Sequence, residues 1–187
     1  EQAVRDLCSQ VDLITPNLKE LAVLTQTQEA KDLEQAIATA KDWAKAADTA
    51  VVVKSGHLDS DISDNAVVTP DGSVHRVPSS RVDTKNTHGT GCSLSSALAT
   101  RLGAGDSAAA ALTWSTQWLH EAIANADALQ VGKGHGPVDH QHRAQRLMQA
   151  ASTLPQPYLS GSLKEPDDVD QPRVPAAGPH TQRLWNL

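Results

Sequence analysis

Three consecutive valines, Val51, Val52 and Val53, constrain this chain more than any other feature. Successive side chains of a strand point to opposite faces, so an unbroken apolar run leaves no face for water. The stretch "TAVVVKSGH" therefore predicts a strand covered on both sides by other elements. The neighbouring sequence supplies covers. "AKDLEQAIATAKDWAKAA" places Leu33, Ala36, Ile37, Ala40 and Ala44 on one stripe of a helix. Before it, "VDLITP" reads as a short buried strand ended by Pro16. "NLKELAVLT" then reads as a helix, with Leu18, Leu21 and Leu24 on one side and Asn17 as N-cap.

Downstream, "DNAVVTPDGSVHRVP" reads as two short strands around Asp71-Gly72, a hairpin signal. A helix over about 93–102 follows, in which Leu94, Leu98 and Leu102 would face the sheet. "DSAAAALTWSTQWLHEAIANA" predicts a further helix with Asp106 as its N-cap. "VGKGHGPVDH" is a glycine-rich loop and "QHRAQRLMQA" a short closing helix. The chain has no Phe and one Tyr, so Val, Leu, Ile and Ala must build the core, as suits helices on a sheet. The expected class is α/β with a mostly parallel sheet.

The net charge of −6 and the lack of a basic stripe argue against nucleic acid as a partner. No apolar run reaches membrane-spanning length. Cys8 and Cys92 form neither a CxxC pair nor a zinc-like cluster, which points to reduced thiols and a cytoplasmic protein. The opening "EQAVRDLCSQ" reads like the middle of an amphipathic helix, so the chain is expected to be the C-terminal part of a larger domain. Composition then divides it into a domain over 1–150, a Pro/Ser-rich linker over 151–180, and the start of a further helical unit over 181–187.

The chemistry gathers in "TKNTHGTGCSLSSALATRL". Gly89-Thr90-Gly91 lies directly before a helix, where unpaired N–H groups and the helix dipole favour an anion such as a phosphate. Cys92 sits on the first turn. There its thiolate would be stabilised, drawing the thiol below its usual pKa of about 8.5 and suiting it to take a proton from a hydroxyl. The alternatives are a turn whose glycines only relieve crowding, and a small buried apolar residue. Cys8 has no polar company and carries no role.

"ITPNLKE", "VVVKSGH", "TKNTHGTGCSLSSALA" and "VGKGHGPVDH", in this order over about residues 1–145, resemble the hydroxymethylpyrimidine/phosphomethylpyrimidine kinases of thiamine biosynthesis. These belong to the ribokinase-like superfamily. The resemblance implies a three-layer α/β/α fold lacking its N-terminal part. It also implies ATP- and Mg²⁺-dependent phosphorylation of 4-amino-5-hydroxymethyl-2-methylpyrimidine and then of its monophosphate. Cys92 takes the catalytic base position, where sugar kinases usually carry Asp, and Gly89, Thr90 and Gly91 form the anion hole. Asn17 and Glu20 match an N-x-x-E element linked to Mg²⁺, while also reading as a helix cap and a first-turn acid. Lys54 points toward the nucleotide phosphates or is a solvated strand-end lysine.

Lys85 and Thr87 are further nucleotide-side candidates, and Gly132, Lys133 and Gly134 line the adenine side or simply connect two helices. His88 is expected to make a structural hydrogen bond. His57 faces the substrate or solvent, and His135, His140 and His142 read as loop and surface histidines. Pyridoxal kinases share the Cys variant and remain the enzymatic alternative; a ligand-binding module without catalysis is the other. A homodimer is allowed. "HTQRLWNL" weakly resembles the opening of thiaminase II-type domains fused to such kinases.

Overall fold

The computed structural model describes residues 1–56 and 63–153. His57, the linker from residue 154 onward and the closing segment lie outside the described residues. The elements run α1 (Gln2–Cys8), β1 (Leu13–Ile14), α2 (Leu18–Thr25), α3 (Leu33–Ala47), β2 (Ala50–Lys54), β3 (Asn65–Val68), β4 (Val74–Val77), α4 (Thr90–Gly103), α5 (Ala108–Ala124), a 3₁₀ turn (Ala126–Leu129) and α6 (His142–Thr153).

Among the described residues the strands form one sheet in the order β1-β2-β3-β4. The valine run lies inside it, and its side chains divide between two cores as the pleat requires. Val51, Val53, Ala66 and Val68 face Leu18, Leu21, Ala36, Ile37, Ala40 and Ala44 of α2 and α3. On the opposite face, Val52, Val67 and Val77 meet Leu94 and Leu98 of α4 and Ala111, Leu112 and Leu119 of α5, with Leu102 packed at the margin. The architecture is three layers, α/β/α.

The expected mostly parallel sheet is corrected to a mixed one. β1 and β2 are parallel, joined through α2 and α3. β2–β3 and β3–β4 are antiparallel. The reason is the length of the connections: a parallel return needs a crossover of a dozen or more residues, and residues 55–64 are too few. The β3–β4 hairpin turns where expected, with Gly72 at φ +85°. The N-cap of α5 is Ser107 rather than Asp106. The Ser107 hydroxyl accepts from Ala110 N–H at 3.2 Å, whereas Asp106 accepts from Arg101 at 2.6 Å.

On α5, Trp114 and Trp118 stack with ring centroids 6.1 Å apart. Arg101 of α4 and Arg143 of α6 lie over the Trp114 ring at 5.1 and 5.2 Å. Trp118 also meets the rings of His140 and His142 at 6.0 and 6.1 Å. His142 is buried, contrary to its reading as a surface histidine. Glu121 Oε2 lies 3.1 Å from its Nε2.

Candidate active site

The parallel pairing of β1 and β2 brings their carboxyl ends to one edge, where open α/β sheets collect ligands. At the end of β1 the chain turns through Pro16 into α2. Asn17 caps that helix: its side chain accepts from Glu20 N–H at 2.9 Å, and Asn17 N–H donates to Glu20 Oε2 at 2.8 Å. This is a full capping box. It engages one oxygen of Glu20 and, among the described residues, leaves Oε1 without a hydrogen bond. A carboxylate with one free oxygen is a fitting donor for a Mg²⁺ ion that keeps most of its waters.

Lys54 ends β2 and is half-buried. Burial draws its ammonium below the ordinary lysine range, and the nearby Glu20 and Cys92 side chains offset part of that. Glu20, Lys54 and Cys92 come from three separate elements and share one electrostatic neighbourhood.

Helix α4 is anchored to this edge by its first turns. Ser95 Oγ lies 2.8 Å from Thr15 Oγ1, just beyond β1. Gly89 is the N-cap, at φ +87° and ψ 4°, a left-handed conformation that favours glycine. No side chain caps the helix, and its first internal bond is Ser93 N–H to Gly89 O at 2.9 Å. The N–H groups of Gly91 and Cys92 precede that bond, so the first turn keeps donors for an anion. The helix starts at Thr90, three residues earlier than the spacing predicts, which puts Cys92 in its third position, exposed. Cys8 is half-buried, and burial pushes its thiol up.

The loops before α4 and after α5 enclose a cavity of about 520 Å³ lined by Lys85, Asp127, Val131, Gly132 and Gly134, with Thr84 and Asn86 among its other walls. It unites two of the expected nucleotide-side positions, Lys85 and Gly132, with Gly134. Thr87 and Lys133 are exposed and do not line it. His88 acts through its main chain: its N–H donates to Gly136 O at 3.1 Å, and its carbonyl accepts from Val138 N–H at 3.3 Å. His140 reaches Ser93 Oγ at 2.7 Å, and the same hydroxyl donates to Gly89 O at 2.7 Å.

Sequence reasoning missed Asn86, Asp127 and Gly136, which tie the two loops of the cavity together. Asn86 and Gly136 each lie inside a motif singled out above, but their pairing across 50 residues, and that of Asn86 with Asp127 across 41, leaves no local pattern. No helix among the described residues is long and apolar enough to cross a membrane, and they hold no cluster of three or more His, Cys, Asp or Glu placed to bind a metal.

Comparison with known proteins bears on the family and the fold. A model of the phosphomethylpyrimidine kinase family matches residues 1–139. A thiamine biosynthesis multifunctional protein of Corynebacterium glutamicum is 48% identical across 99% of this chain, which spans 26% of that protein. The hydroxymethylpyrimidine/phosphomethylpyrimidine kinase of Salmonella typhimurium is 42% identical across 73% of this chain and 51% of its own. Among solved structures, the pyridoxal kinase of Bacillus subtilis, as an ADP complex, superposes with a TM-score of 0.69 at 26% identity. That match covers 77% of this chain and 55% of the kinase. The chain thus spans between about a quarter and about half the length of these relatives.

Proposed function

The chain belongs to the phosphomethylpyrimidine kinase family, and from that membership we propose that it forms the phosphoryl-transfer half of a thiamine-pathway kinase. The substrates would be 4-amino-5-hydroxymethyl-2-methylpyrimidine and its monophosphate. The fold is ribokinase-like, as expected. The observation that carries the reading is the convergence of Glu20, Lys54 and Cys92 beside the uncapped first turn of α4.

In this reading ATP supplies the phosphoryl group and Mg²⁺ offsets its charge. Cys92 Sγ takes the proton of the substrate hydroxyl as that oxygen accepts the phosphoryl group. The Gly89-Thr90-Gly91 turn presents the free first-turn N–H groups of Gly91 and Cys92, which stabilise the charge that develops on the transferring oxygens. Lys54 would face the phosphates, and Glu20, held by Asn17, would help hold the Mg²⁺ ion. Lys85 and Gly132 line the nucleotide cavity. Thr87 and Lys133 are outside its walls and would act at its margin.

Residues 151–187 are read as a linker leading to a further unit. Support comes from the multifunctional relatives, whose similarity runs along 99% of the chain, tail included. That this unit is thiaminase-like, that the protein is cytoplasmic and that it pairs as a homodimer belong to the same proposal.

A second reading, pyridoxal kinase, is favoured by the structural likeness to such enzymes. Coupled ADP-release assays on the full-length protein, run with the pyrimidine alcohol and with pyridoxal in parallel, decide between them. Faster turnover of the pyrimidine is expected. Preference for pyridoxal would overturn the assignment, and ligand binding with no turnover of either alcohol would favour a non-catalytic module.

A further inference from the structure

Two loops far apart in the chain meet at one side chain. Asn86 Oδ1 accepts from Gly136 N–H at 2.8 Å, and its Nδ2 donates to Asp127 Oδ1 at 2.7 Å. The Thr84 hydroxyl donates to the same carboxylate oxygen and accepts from Asn86 N–H at 3.1 Å. These bonds hold the Asp127 carboxyl below its usual range. The main chains are tied alongside, through His88 and Gly136. His135 Nδ1 adds a bond to Lys85 O at 3.0 Å. The fit leaves no slack, because a Cβ on Gly136 would stand 2.5 Å from Asn86 Oδ1.

Thr84, Asn86 and Asp127 are walls of the cavity that Lys85, Gly132 and Gly134 also line. None of these hydrogen bonds reaches Cys92. Their joint effect is to fix the spacing of the two walls. An amide suits the position because it offers an acceptor to Gly136 and a donor to Asp127. A carboxylate there would set two negative groups against each other.

We propose that Asn86 is a positioning residue whose bridge between Gly136 and Asp127 sets nucleotide affinity rather than the rate of the chemical step. The proposal rests on the reading of this cavity as the nucleotide site, and the test separates the two. In the full-length protein, ADP affinity is measured by calorimetry, alongside KM for ATP and kcat. The variants are Asn86→Ala, Asn86→Asp, Asn86→Asp with Asp127→Asn, and Lys85→Ala.

Each single Asn86 variant is expected to weaken ADP and raise KM for ATP about tenfold, as for one lost charge-assisted hydrogen bond. kcat should hold to within about twofold. The double variant exchanges the carboxylate and the amide and should recover most of the affinity. A merely structural role predicts no such recovery and no split between KM and kcat. If Lys85→Ala weakens ADP while Asn86→Ala does not, the positioning role alone is overturned. If Lys85→Ala leaves ADP affinity unchanged, the nucleotide reading of the cavity is overturned and the proposal with it. A double variant as weak as Asn86→Asp also overturns the bridge.

Discussion

Cys92 stands on the first turn of α4, exposed and close enough to Lys54 to act on its charge. A base at that point has one task in the proposed reaction, so its loss should fall on kcat. Cys92→Ala is expected to lower kcat about 10²- to 10⁴-fold with little change in KM for ATP. Cys92→Asp, which restores a proton acceptor, should keep more activity. Unchanged turnover in Cys92→Ala, read in the coupled assay, would sink the base assignment. Glu121 gives a prediction of another kind. Its carboxyl is held down to about 2, first by the Arg143 guanidinium and then by His142 and Arg146. A depressed folded pKa contributes stability that is present above the ordinary value near 4.5 and is lost as pH falls toward 2. About a third of the side chain is exposed, which limits the contribution to about 1 kcal/mol. Urea melts at pH 6 should therefore show Glu121→Gln less stable than the parent, and the gap should narrow below pH 4.5 and close only as pH approaches 2.

Helix α2 carries two roles on one capping box, and conservative changes can separate them. Asn17→Ala removes the cap and should cost about 1 kcal/mol in a denaturant melt. Glu20→Gln keeps an acceptor for Asn17 N–H, so stability should hold, while loss of the charge should lower turnover if the carboxylate serves the metal. A variant with normal turnover would remove Glu20 from the metal role. At the head of α4, Gly89→Ala forces a Cβ into φ +87° and should cost about 1–2 kcal/mol. Turnover would fall with it, because the same residue aims the first-turn N–H groups. Elements such as α3 and β2 were legible because their apolar spacing is local and strongly periodic. The hand of the β2–β3 pairing was hidden, because it depends on the length of a connection rather than on a pattern. The cap of α5 slipped by one residue because both Asp106 and Ser107 are good caps, and Arg101 claims the aspartate. Glu20, Lys54 and Cys92 were legible as motif residues. The Asn86 bridge was not, since a hydrogen bond across 50 residues leaves no periodicity to read.

At the scale of the molecule, the two cores and the carboxyl edge of the sheet belong to a unit spanning 51% of the length of a related kinase. Several large apolar side chains on its periphery stand exposed, among them Val4, Leu7 and Val11 near the short strand β1 and Leu147 and Met148 on α6. The 187-residue chain by itself is expected to be poorly stable and to phosphorylate the pyrimidine at a small fraction of the full-length rate. Robust turnover by this chain alone in the coupled assay would overturn that. The tryptophan pair of α5 makes such states visible. Trp114 is held between arginines from α4 and α6, and Trp118 touches His140, which in turn bonds Ser93 at the head of the helix bearing Cys92. Two indoles fixed in parallel at this separation couple optically, and the emission of an indole depends on the groups packed against it. Near-ultraviolet dichroism and tryptophan fluorescence therefore provide a built-in gauge of whether α4, α5 and α6 are seated together, readable without any label.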